Sequence, residues 1–479
     1  MLYKLQFIHL QTMQITFHGA AQTVTGSKHL IQTGRNKKIL LDCGLFQNKG
    51  GDNEITNRHF GFSPGEINYM ILSHAHIDHS GNIPQLVKQG YKGPIYCTPG
   101  TLDLCTIMLA DSAHIQESDI EYLNKKRAKN HQQPLEPIYT IDDVSKAMEQ
   151  FIPVSIDNWI SIDPHIRFMF TDAGHILGSA AVNLDFDEPE GRTRVFFSGD
   201  TGRYHDIILR SPQPFPQADY IINESTYGDR LHETTKDAED HLLNVVIDTC
   251  VTRKGKLIIP AFSLGRTQEI VYALNRLSNS GLLPKIPVYV DSPLAISATA
   301  VMRKHKESFN PEIVEYMKTD DDPFGFDNLH YVRDVDASKA LNDLDEACII
   351  ISASGMMEAG RIKHHVKNNI SNPNNTIMIV GYVPPGSLGG RLIEGATEVK
   401  IFGTLYPVAA RIEVMAAFSA HADYKEMMKY LSCQDPNLVK RLFLVHGEPE
   451  AQIKFKEHLQ GMGFSDIVIP IQGETFYID

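Results

Sequence analysis

Residues 69–79 read YMILSHAHIDH, an apolar run that leads directly into three histidines and one aspartate. The apolar part is strand-like, so the polar side chains follow on a loop at the strand's end, where they can turn inward. Imidazole nitrogens and carboxylate oxygens suit Zn²⁺, which takes about four ligands. Four ligands on so short a loop divide most naturally between two metals, with His74 and His76 on one and Asp78 and His79 on the other.

Three other strand ends supply candidate ligands. His175 lies between glycines in the segment DAGHILGS, where the backbone can approach a metal, and Asp200 follows a buried strand in a tight turn. A carboxylate at that point can bridge two metals, which lie about 3.5–4 Å apart in two-metal sites. His446, in LFLVHGE, is predicted to complete the shell of the second metal. Asp42 ends another apolar strand, and we expect it to hold a ligand histidine through the other ring N–H.

Strand-like runs alternate with helical patterns along most of the chain, which predicts an α/β protein with layered sheets. The middle of the chain, residues 228–408, reads as a separate Rossmann-like domain built of strand–helix units. The metal motifs lie at both ends of the chain, so if they form one site the middle domain is an insertion. Residues 1–227 and 409–479 would then be the two parts of one domain, and residues 228–408 the inserted domain. The predicted strands are 14–17, 38–41, 69–72 and 95–96, and the predicted helices are 82–89, 100–128, 237–251, 267–278 and 362–369.

The chain of 479 residues has 45 Lys and Arg against 58 Asp and Glu, a net charge of −13. This balance excludes nucleic-acid binding by bulk positive charge, so any such binding needs a local basic groove or a metal. No apolar run approaches the roughly 18–20 residues that span a bilayer, and the six cysteines are scattered without a C-x-x-C pair. We expect a cytoplasmic protein without a membrane partner. Residues 1–12 make a poor signal peptide and are predicted to be dispensable, with Met13 as a candidate native start.

The motif His74-x-His76-x-Asp78-His79, together with His175, Asp200 and the Asp42 turn, resembles the metallo-β-lactamase superfamily. The resemblance implies an αβ/βα sandwich with a dinuclear zinc site at the sheet edges, and hence two Zn²⁺ per chain.

Further motifs resemble those of the β-CASP nucleases, in which a Rossmann-like β-CASP domain is inserted into the metallo-β-lactamase sandwich. Glu224 at a strand end, His421 and His446 match an acidic residue, a first histidine and a second histidine. DNA-processing members tend to carry valine at the position of His446, so the histidine favours RNA. Segments 260–266, 291–294 and 352–361 are similar to the branch that contains the nuclease subunit of the mRNA cleavage and polyadenylation machinery and its bacterial relatives. The resemblance covers residues 13–479.

The resemblance implies a zinc-dependent ribonuclease that hydrolyses phosphodiester bonds of single-stranded RNA with a two-metal-activated hydroxide. His421 is the candidate general acid, with Glu224 to orient it and raise its pKa, and we count Asp42 and Asp78 among the catalytic residues. Candidate substrate-binding residues are Arg266, before a helix, and Ser354 and Arg361, with His364 and His365 along one helix face.

Two other functions remain open from the sequence. One is a different hydrolase on the same scaffold, either a DNA nuclease or an enzyme that cleaves small esters, thioesters or lactams. The other is a non-catalytic scaffold, which the complete set of candidate ligands disfavours. The sequence decides neither the RNA target, nor endo- against exonuclease action, nor whether the protein is a homodimer.

Overall fold

The computed structural model describes residues 12–47, 53–189, 191–232, 236–381, 383, 386–415 and 419–479. The chain forms two compact units. Unit 1 contains the described residues up to 204, together with 211–231 and 421–479, and unit 2 contains 205–210 and 232–420. The segment predicted to be dispensable, residues 1–12, lies outside the described residues except for its last member.

Unit 1 is built on two seven-stranded sheets among the described residues, with strands numbered here in chain order. The first sheet has the order β22-β1-β2-β3-β4-β5-β6 and the second the order β21-β20-β11-β10-β9-β8-β7. The first comprises β1 (Gln14–Phe17), β2 (His29–Gln32), β3 (Lys38–Leu41), β4 (Tyr69–Ile71), β5 (Ile95–Cys97), β6 (Phe151–Pro153) and β22 (Thr475–Tyr477). The second comprises β7 (Ile160–Asp163), β8 (Ile166–Asp172), β9 (Ala180–Glu188), β10 (Gly191–Phe197), β11 (Tyr220–Glu224), β20 (Arg441–Val445) and β21 (Ile467–Val468).

The core of unit 1 lies between these two sheets. Apolar side chains that alternate along the strands, such as Ile15 and Phe17 from the first sheet and Phe168 and Phe170 from the second, belong to one buried cluster. Helices cover the outer faces: α13 (Tyr424–Leu431) and α14 (Pro449–Gly461) pack on the second sheet, where Tyr430 and Phe455 belong to another buried cluster. The helices of unit 1 are α1 (Asn53–Arg58), α2 (Ile77–Ser80), α3 (Ile83–Lys88), α4 (Pro99–Lys129), α5 (Ile141–Met148), α13 (Tyr424–Leu431) and α14 (Pro449–Gly461).

Unit 2 contains a six-stranded, all-parallel sheet with the order β14-β13-β15-β12-β16-β19 and a separate two-stranded hairpin. Its strands are β12 (Leu257–Pro260), β13 (Val288–Val290), β14 (Leu329–Tyr331), β15 (Ile349–Ser352), β16 (Thr376–Val380) and β19 (Arg411–Met415), and the hairpin is β17 (Glu398–Ile401) and β18 (Thr404–Pro407). Its helices are α6 (Lys236–Val246), α7 (Arg266–Asn279), α8 (Pro293–Met302), α9 (Pro311–Tyr316), α10 (Val335–Ala340), α11 (Ile362–Asn369) and α12 (Leu388–Ile393).

The predicted α/β class is confirmed, and the predicted strands and helices form with bounds that differ by at most one residue, apart from the end of one helix. The helix predicted at 237–251 changes at residue 247 into a π-helical segment, Ile247–Thr252. The second unit continues to residue 420 rather than ending at 408, because β19 pairs in parallel with β16. Residues 205–210 also belong to it, since Ile208 accepts a backbone hydrogen bond from Asn310 at 2.8 Å.

The strand directions place the ends of several strands at one edge of unit 1. Strands β10, β11 and β20 are parallel neighbours, and Glu224 at the end of β11 lies opposite Val445 at the end of β20. Strand β8 runs in the same direction as β10, because each is antiparallel to β9. The loops that follow these strands therefore meet at one edge, and they carry His175, Asp200 and His446.

No helix of the described residues is long and apolar enough to cross a membrane.

Candidate metal centre

The loop after β4 is held in place by Asp42, which follows β3. One Asp42 oxygen accepts the Ser73 N–H at 2.8 Å, and the other accepts the Ser73 hydroxyl at 2.9 Å and lies 2.7 Å from His79 Nδ1. Asp42 is fully buried and has a φ of +59°, a backbone conformation that is uncommon outside glycine. Such strain persists only where the surrounding contacts hold the residue in place, and here they are the contacts that fix the loop after β4.

These contacts also orient two histidines. The Ser73 hydroxyl lies 3.0 Å from His74 Nδ1, and Asp42 binds His79 Nδ1, so each Nδ1 has a partner. The Nε2 atoms of both histidines are buried and have no hydrogen-bond partner among the described residues. A buried ring nitrogen without a partner is costly unless it has a ligand, and a metal ion is the ligand that several such nitrogens share.

Two loops of the second sheet bring His175 and Asp200 to the same place. His175 lies in the β8–β9 loop, where its N–H donates to the Ser179 hydroxyl at 2.9 Å. The Asp200 loop packs against it so closely that a Cβ on Gly202 would lie 1.7 Å from the carbonyl oxygen of Gly174. The close backbone approach that glycine permits thus fixes the distance between Asp200 and His175.

The two oxygens of Asp200 face different sets of histidines. Its Oδ2 lies 3.5 Å from Nε2 of both His74 and His175. Its Oδ1 lies 3.2 Å from His79 Nε2 and 3.5 Å from His446 Nδ1. The carboxylate therefore stands between two groups of donors, as a bridging ligand would.

These spacings fit metal coordination. Ligand atoms about 2.0–2.1 Å from a tetrahedral Zn²⁺ are roughly 3.3 Å from one another, and the facing nitrogens of His76 and His175 are 3.2 Å apart. The donors are nitrogens and carboxylate oxygens, and several are buried without a hydrogen-bond partner, so the residues fit a metal of the zinc type. The described residues contain three overlapping groups of potential ligands: His74, His76, His175 and Asp200; Asp78, His79 and His446; and Asp200, Glu224, His421 and His446.

His446 reaches the cluster from the end of β20. Its Nε2 lies 3.4 Å from Asp78 Oδ2, and the Thr226 hydroxyl lies 3.0 Å from its Nδ1. The residue has a φ of +48°, and its N–H donates to the carbonyl of Ala20 at 2.7 Å. Asp42 and His446, two non-glycine residues with left-handed backbone, thus both border the cluster.

His421 and Glu224 form a separate pair beside this cluster. Both oxygens of Glu224 lie 3.2 Å from His421 Nδ1, and the fully buried Glu224 also accepts the backbone N–H groups of Thr201 at 2.6 Å and Thr226 at 3.3 Å. The Nε2 of His421 is 3.9 Å from Asp200 Oδ2, and 21% of the side chain is exposed. The ring thus has one nitrogen fixed by Glu224 and the other directed to the cluster.

Burial and charge set the protonation states of these groups. Burial, aided by the charge of His79, holds the pKa of His74 well below its usual range, so the ring is the neutral species that binds metal. Burial would raise the pKa of Asp200, but the surrounding histidines outweigh it and keep the pKa well below its usual range. Burial would lower the pKa of His421, but the carboxylates of Glu224 and Asp200 outweigh it and raise the pKa to about 9.

The structure gathers every predicted ligand, together with Asp42, Glu224 and His421, within unit 1. The predicted substrate residues lie in unit 2, where Arg266 is buried and ion-paired with Glu269. Arg361 donates to Asp291 at 2.6 Å. Both guanidinium groups are engaged inside their own unit, and their role in substrate binding stays a prediction, as does that of the half-buried Ser354.

His365 corrects one expectation. The sequence predicts that it lines one side of the helix with Arg361 and His364 to bind substrate. It does contact the same carboxylate as Arg361, but it is buried, with its Nε2 2.7 Å from Asp291 Oδ2. The reason is that α11 packs this side of its surface on the sheet, and the buried carboxylate gives the imidazole a partner.

Two residues of the site were missed by the sequence reasoning. Ser73 links Asp42 to His74, and Thr226 links Glu224 to His446. Each stands next to or within two residues of a predicted site residue, which is the only signal that the sequence offers. Their partners lie far away along the chain, so only the folded structure identifies their roles.

Three family descriptions match the chain. Residues 26–252 match the metallo-β-lactamase superfamily, residues 267–392 the β-CASP domain, and residues 405–470 the "Zn-dependent metallo-hydrolase RNA specificity domain". The third match contains His421 and His446. The first contains Glu224 and the other candidate residues of the metal centre, which are Asp42, His74, His76, Asp78, His79, His175 and Asp200.

Similar proteins cover most of the chain. A protein of Thermus thermophilus named ribonuclease TTHA0252 is 35% identical over 91% of this chain and 94% of its own length. An RNase J-like protein of Methanocaldococcus jannaschii is 31% identical over 92% of this chain and 94% of its own length. The transcription termination factor FttA of Methanosarcina mazei is 32% identical over 92% of this chain and 68% of its own length. A crystal structure of an Enterococcus faecalis protein of unknown function has the same fold, with a TM-score of 0.56 at 12% identity, over 98% of this chain and 100% of that one.

Proposed function

The chain belongs to the metallo-β-lactamase superfamily, in the branch whose members carry a β-CASP domain, and on that premise we propose that it is a zinc-dependent ribonuclease that hydrolyses single-stranded RNA. The observation that carries the proposal is the position of Asp200, whose two oxygens face two groups of donors beside the His421–Glu224 pair.

We assign His74, His76 and His175 to one zinc ion and Asp78, His79 and His446 to a second, with Asp200 shared between them. When bound, such ions make water nucleophilic at neutral pH and offset the negative charge of a phosphodiester. The chain's own contribution is to fix the donors: Asp42 and Ser73 hold two ring nitrogens in the ligand orientation, and Thr226 does the same for His446.

His421 is the proposed general acid for the leaving ribose oxygen. Its Nδ1 is bound by both oxygens of Glu224, so Nδ1 carries a proton, and Nε2, which faces Asp200, is the atom that we propose donates to the substrate. The pKa of about 9 without metals means that the ring is protonated at neutral pH, and nearby cations would bring this pKa down toward neutrality, where a general acid is most effective. Glu224 acts as a positioning residue through His421.

RNA is the favoured substrate class. The names of the similar proteins include a ribonuclease and an RNase J-like protein, and residues 405–470 match a domain described by its RNA specificity. A small ester, thioester or lactam would need neither the second unit nor the His421–Glu224 pair. A DNA substrate is the closer alternative, and the nuclease assay separates it directly.

The test is a cleavage assay of 5′-labelled single-stranded RNA, run with metal analysis on the same sample. We expect close to two zinc ions per chain, loss of cleavage after chelation, and recovery on adding zinc. The matched substrates are single-stranded DNA of the same sequence, a chromogenic β-lactam and a thioester. Zinc-dependent cleavage of the RNA supports the proposal, whereas turnover of DNA alone or of a small substrate alone would replace it, and protein without transition metal would refute the assignment of the cluster.

A further inference from the structure

An aromatic side chain stands at the tip of the hairpin β17–β18 in unit 2. Phe402 and Gly403 form the two-residue turn between the paired residues Ile401 and Thr404, and their φ values are +49° and +86°. Turns that need two positive φ values favour Asn-Gly or Asp-Gly. Phenylalanine here adopts a strained backbone and leaves 52% of the residue exposed, so folding alone would favour a different residue.

Two side chains of α11 contact this ring, and a third follows on the same helix face. The His364 ring centroid is 4.6 Å from that of Phe402, at an interplanar angle of 36°, and the Lys363 ammonium lies 5.1 Å from the Phe402 centroid. Lys367 is four residues beyond Lys363 on the same helix face. We call these four residues, Phe402, His364, Lys363 and Lys367, the Phe402 platform.

The platform carries two ammonium groups. Neither Lys363 nor Lys367 forms an ion pair with a carboxylate of the described residues, although the Lys363 ammonium donates to the carbonyl of Glu358 at 3.2 Å. Burial and the charges of Lys367, His365 and Lys363 hold the pKa of His364 below its usual range. The two rings are therefore a neutral aromatic pair with two ammonium groups beside them.

Its position is that of a ligand site in this type of sheet. The N–H of Ile362, the first residue of α11, donates at 3.2 Å to the carbonyl of Ala353, which directly follows β15, so the first turn of the helix, with Lys363 and His364, lies at the carboxyl edge of the parallel sheet. Ligands of open parallel α/β sheets bind at that edge. The platform is thus next to the edge where this unit would present a ligand surface.

We propose that the Phe402 platform is a second contact for single-stranded RNA, separate from the metal cluster, in which a base stacks on Phe402 and the two lysines hold neighbouring phosphates. This inference rests on the proposed function for the identity of the nucleic acid. Proteins that bind single strands combine exposed aromatic rings with positive charge along the backbone path. A protein partner fits less well, because lysine is depleted in the cores of protein interfaces and the platform sets two lysines beside its exposed rings.

The test measures binding of a fluorescein-labelled 20-nucleotide single-stranded RNA by anisotropy, in a zinc-loaded His421→Ala background that does not consume the RNA. Phe402→Asn should weaken binding by roughly 5- to 100-fold, the range for loss of one base stack. It should not lower the melting temperature, because asparagine suits the turn. Lys363→Gln and Lys367→Gln should each reduce the slope of log Kd against log salt by about 0.7, while Phe402→Asn leaves the slope unchanged.

Two controls are matched to these variants. Leu405→Asn removes another exposed apolar side chain, 62% exposed, from the same hairpin, and Lys339→Gln removes an exposed lysine elsewhere in unit 2. Both should leave RNA affinity unchanged. Equal RNA affinity of Phe402→Asn and its parent would overturn the inference while leaving the ribonuclease proposal intact. A change in oligomeric state without a change in RNA affinity would assign the platform to a protein contact and would also overturn the inference. Wild-type protein that neither binds nor cleaves RNA would refute the proposed function itself.

Discussion

Replacing His421 by alanine separates the proposed acid from the metal ligands, because the geometry distinguishes the two roles. The Nε2 atoms of His74, His79 and His175 lie 3.2–3.5 Å from the oxygens of Asp200, whereas His421 Nε2 lies 3.9 Å from the nearer one. The other nitrogen of His421 is bound by Glu224. We therefore expect the alanine variant to keep its fold and both zinc ions.

The expected loss of rate follows from this role. A general acid typically contributes 10²- to 10⁴-fold, roughly 3–5 kcal/mol of activation free energy, so kcat on RNA should fall by that factor. Glu224→Gln keeps one acceptor oxygen in place of the two that receive the Thr201 and Thr226 N–H groups, and it removes the charge that raises the pKa of His421. Because the acid itself remains, the loss should be smaller than in His421→Ala. The double variant should be no worse than His421→Ala, since both changes act through one proton transfer.

The pH dependence of the cleavage rate tests the same role of His421, and the direction of the expected shift can be worked out. The acid works only when protonated, so the rate falls as pH rises through the pKa of His421. Because Glu224 raises this pKa, the fall in Glu224→Gln should begin at a lower pH than in the wild type. The bound metals lower the pKa in both proteins and so do not change the direction of the difference.

The assay compares RNA with a bis(nitrophenyl) phosphate diester, whose leaving group needs little protonation. Both variants should cleave the activated diester at nearly the wild-type rate. His446→Ala is the matched control, since it removes a histidine of the same cluster that we assign as a ligand, and it should lose zinc and act poorly on both substrates. Loss of zinc from His421→Ala would make His421 a ligand, and equal damage on RNA and diester would reduce it to a positioning residue.

Three further predictions follow from contacts outside the reacting groups. Asp42→Asn should weaken zinc binding by about 10- to 100-fold, because it disturbs the hydrogen bond to His79 Nδ1. Competition with a chromophoric chelator measures the zinc affinity, and an unchanged affinity would contradict the role of Asp42. Lys28 is buried and donates to the carbonyl of Gly44, and burial lowers its pKa from 10.5 to about 8. Between pH 8 and 10.5 the unfolded chain therefore binds more protons than the folded chain. The free energy of unfolding should rise by about 3 kcal/mol over this range. Urea titrations should show this rise in the wild type and not in Lys28→Met, and parallel curves for the two proteins would refute it. A chain that begins at Met13 should fold and act normally, because Met13 is buried and its carbonyl accepts the Ile478 N–H at 2.9 Å, whereas a lower melting temperature would show that the preceding residues contribute to stability.

Much of the site could be predicted from the sequence because its signals are local. The run of residues 69–79 combines a continuous apolar strand with four donors in six positions, and strand, turn residue and donor recur at Asp42, Asp200 and His446. Each such unit depends on a short apolar run, which predicts a buried strand, and on the turn that ends it. The sequence by itself therefore determined the types of ligand, the strand ends that carry them, and the α/β class.

Only the tertiary structure decided which of these donors meet, since pairing across a sheet joins residues far apart in the chain. Asp78 and His446 are brought within 3.4 Å across 368 positions, and the two oxygens of Asp200 are turned toward different groups. The same non-local packing buries His365 against Asp291 and carries the second unit on to residue 420 through the pairing of β19 with β16. A sequence pattern records which face of an element a side chain occupies, but the partner on that face is set by the packing of other elements, and that is decided only when the chain folds.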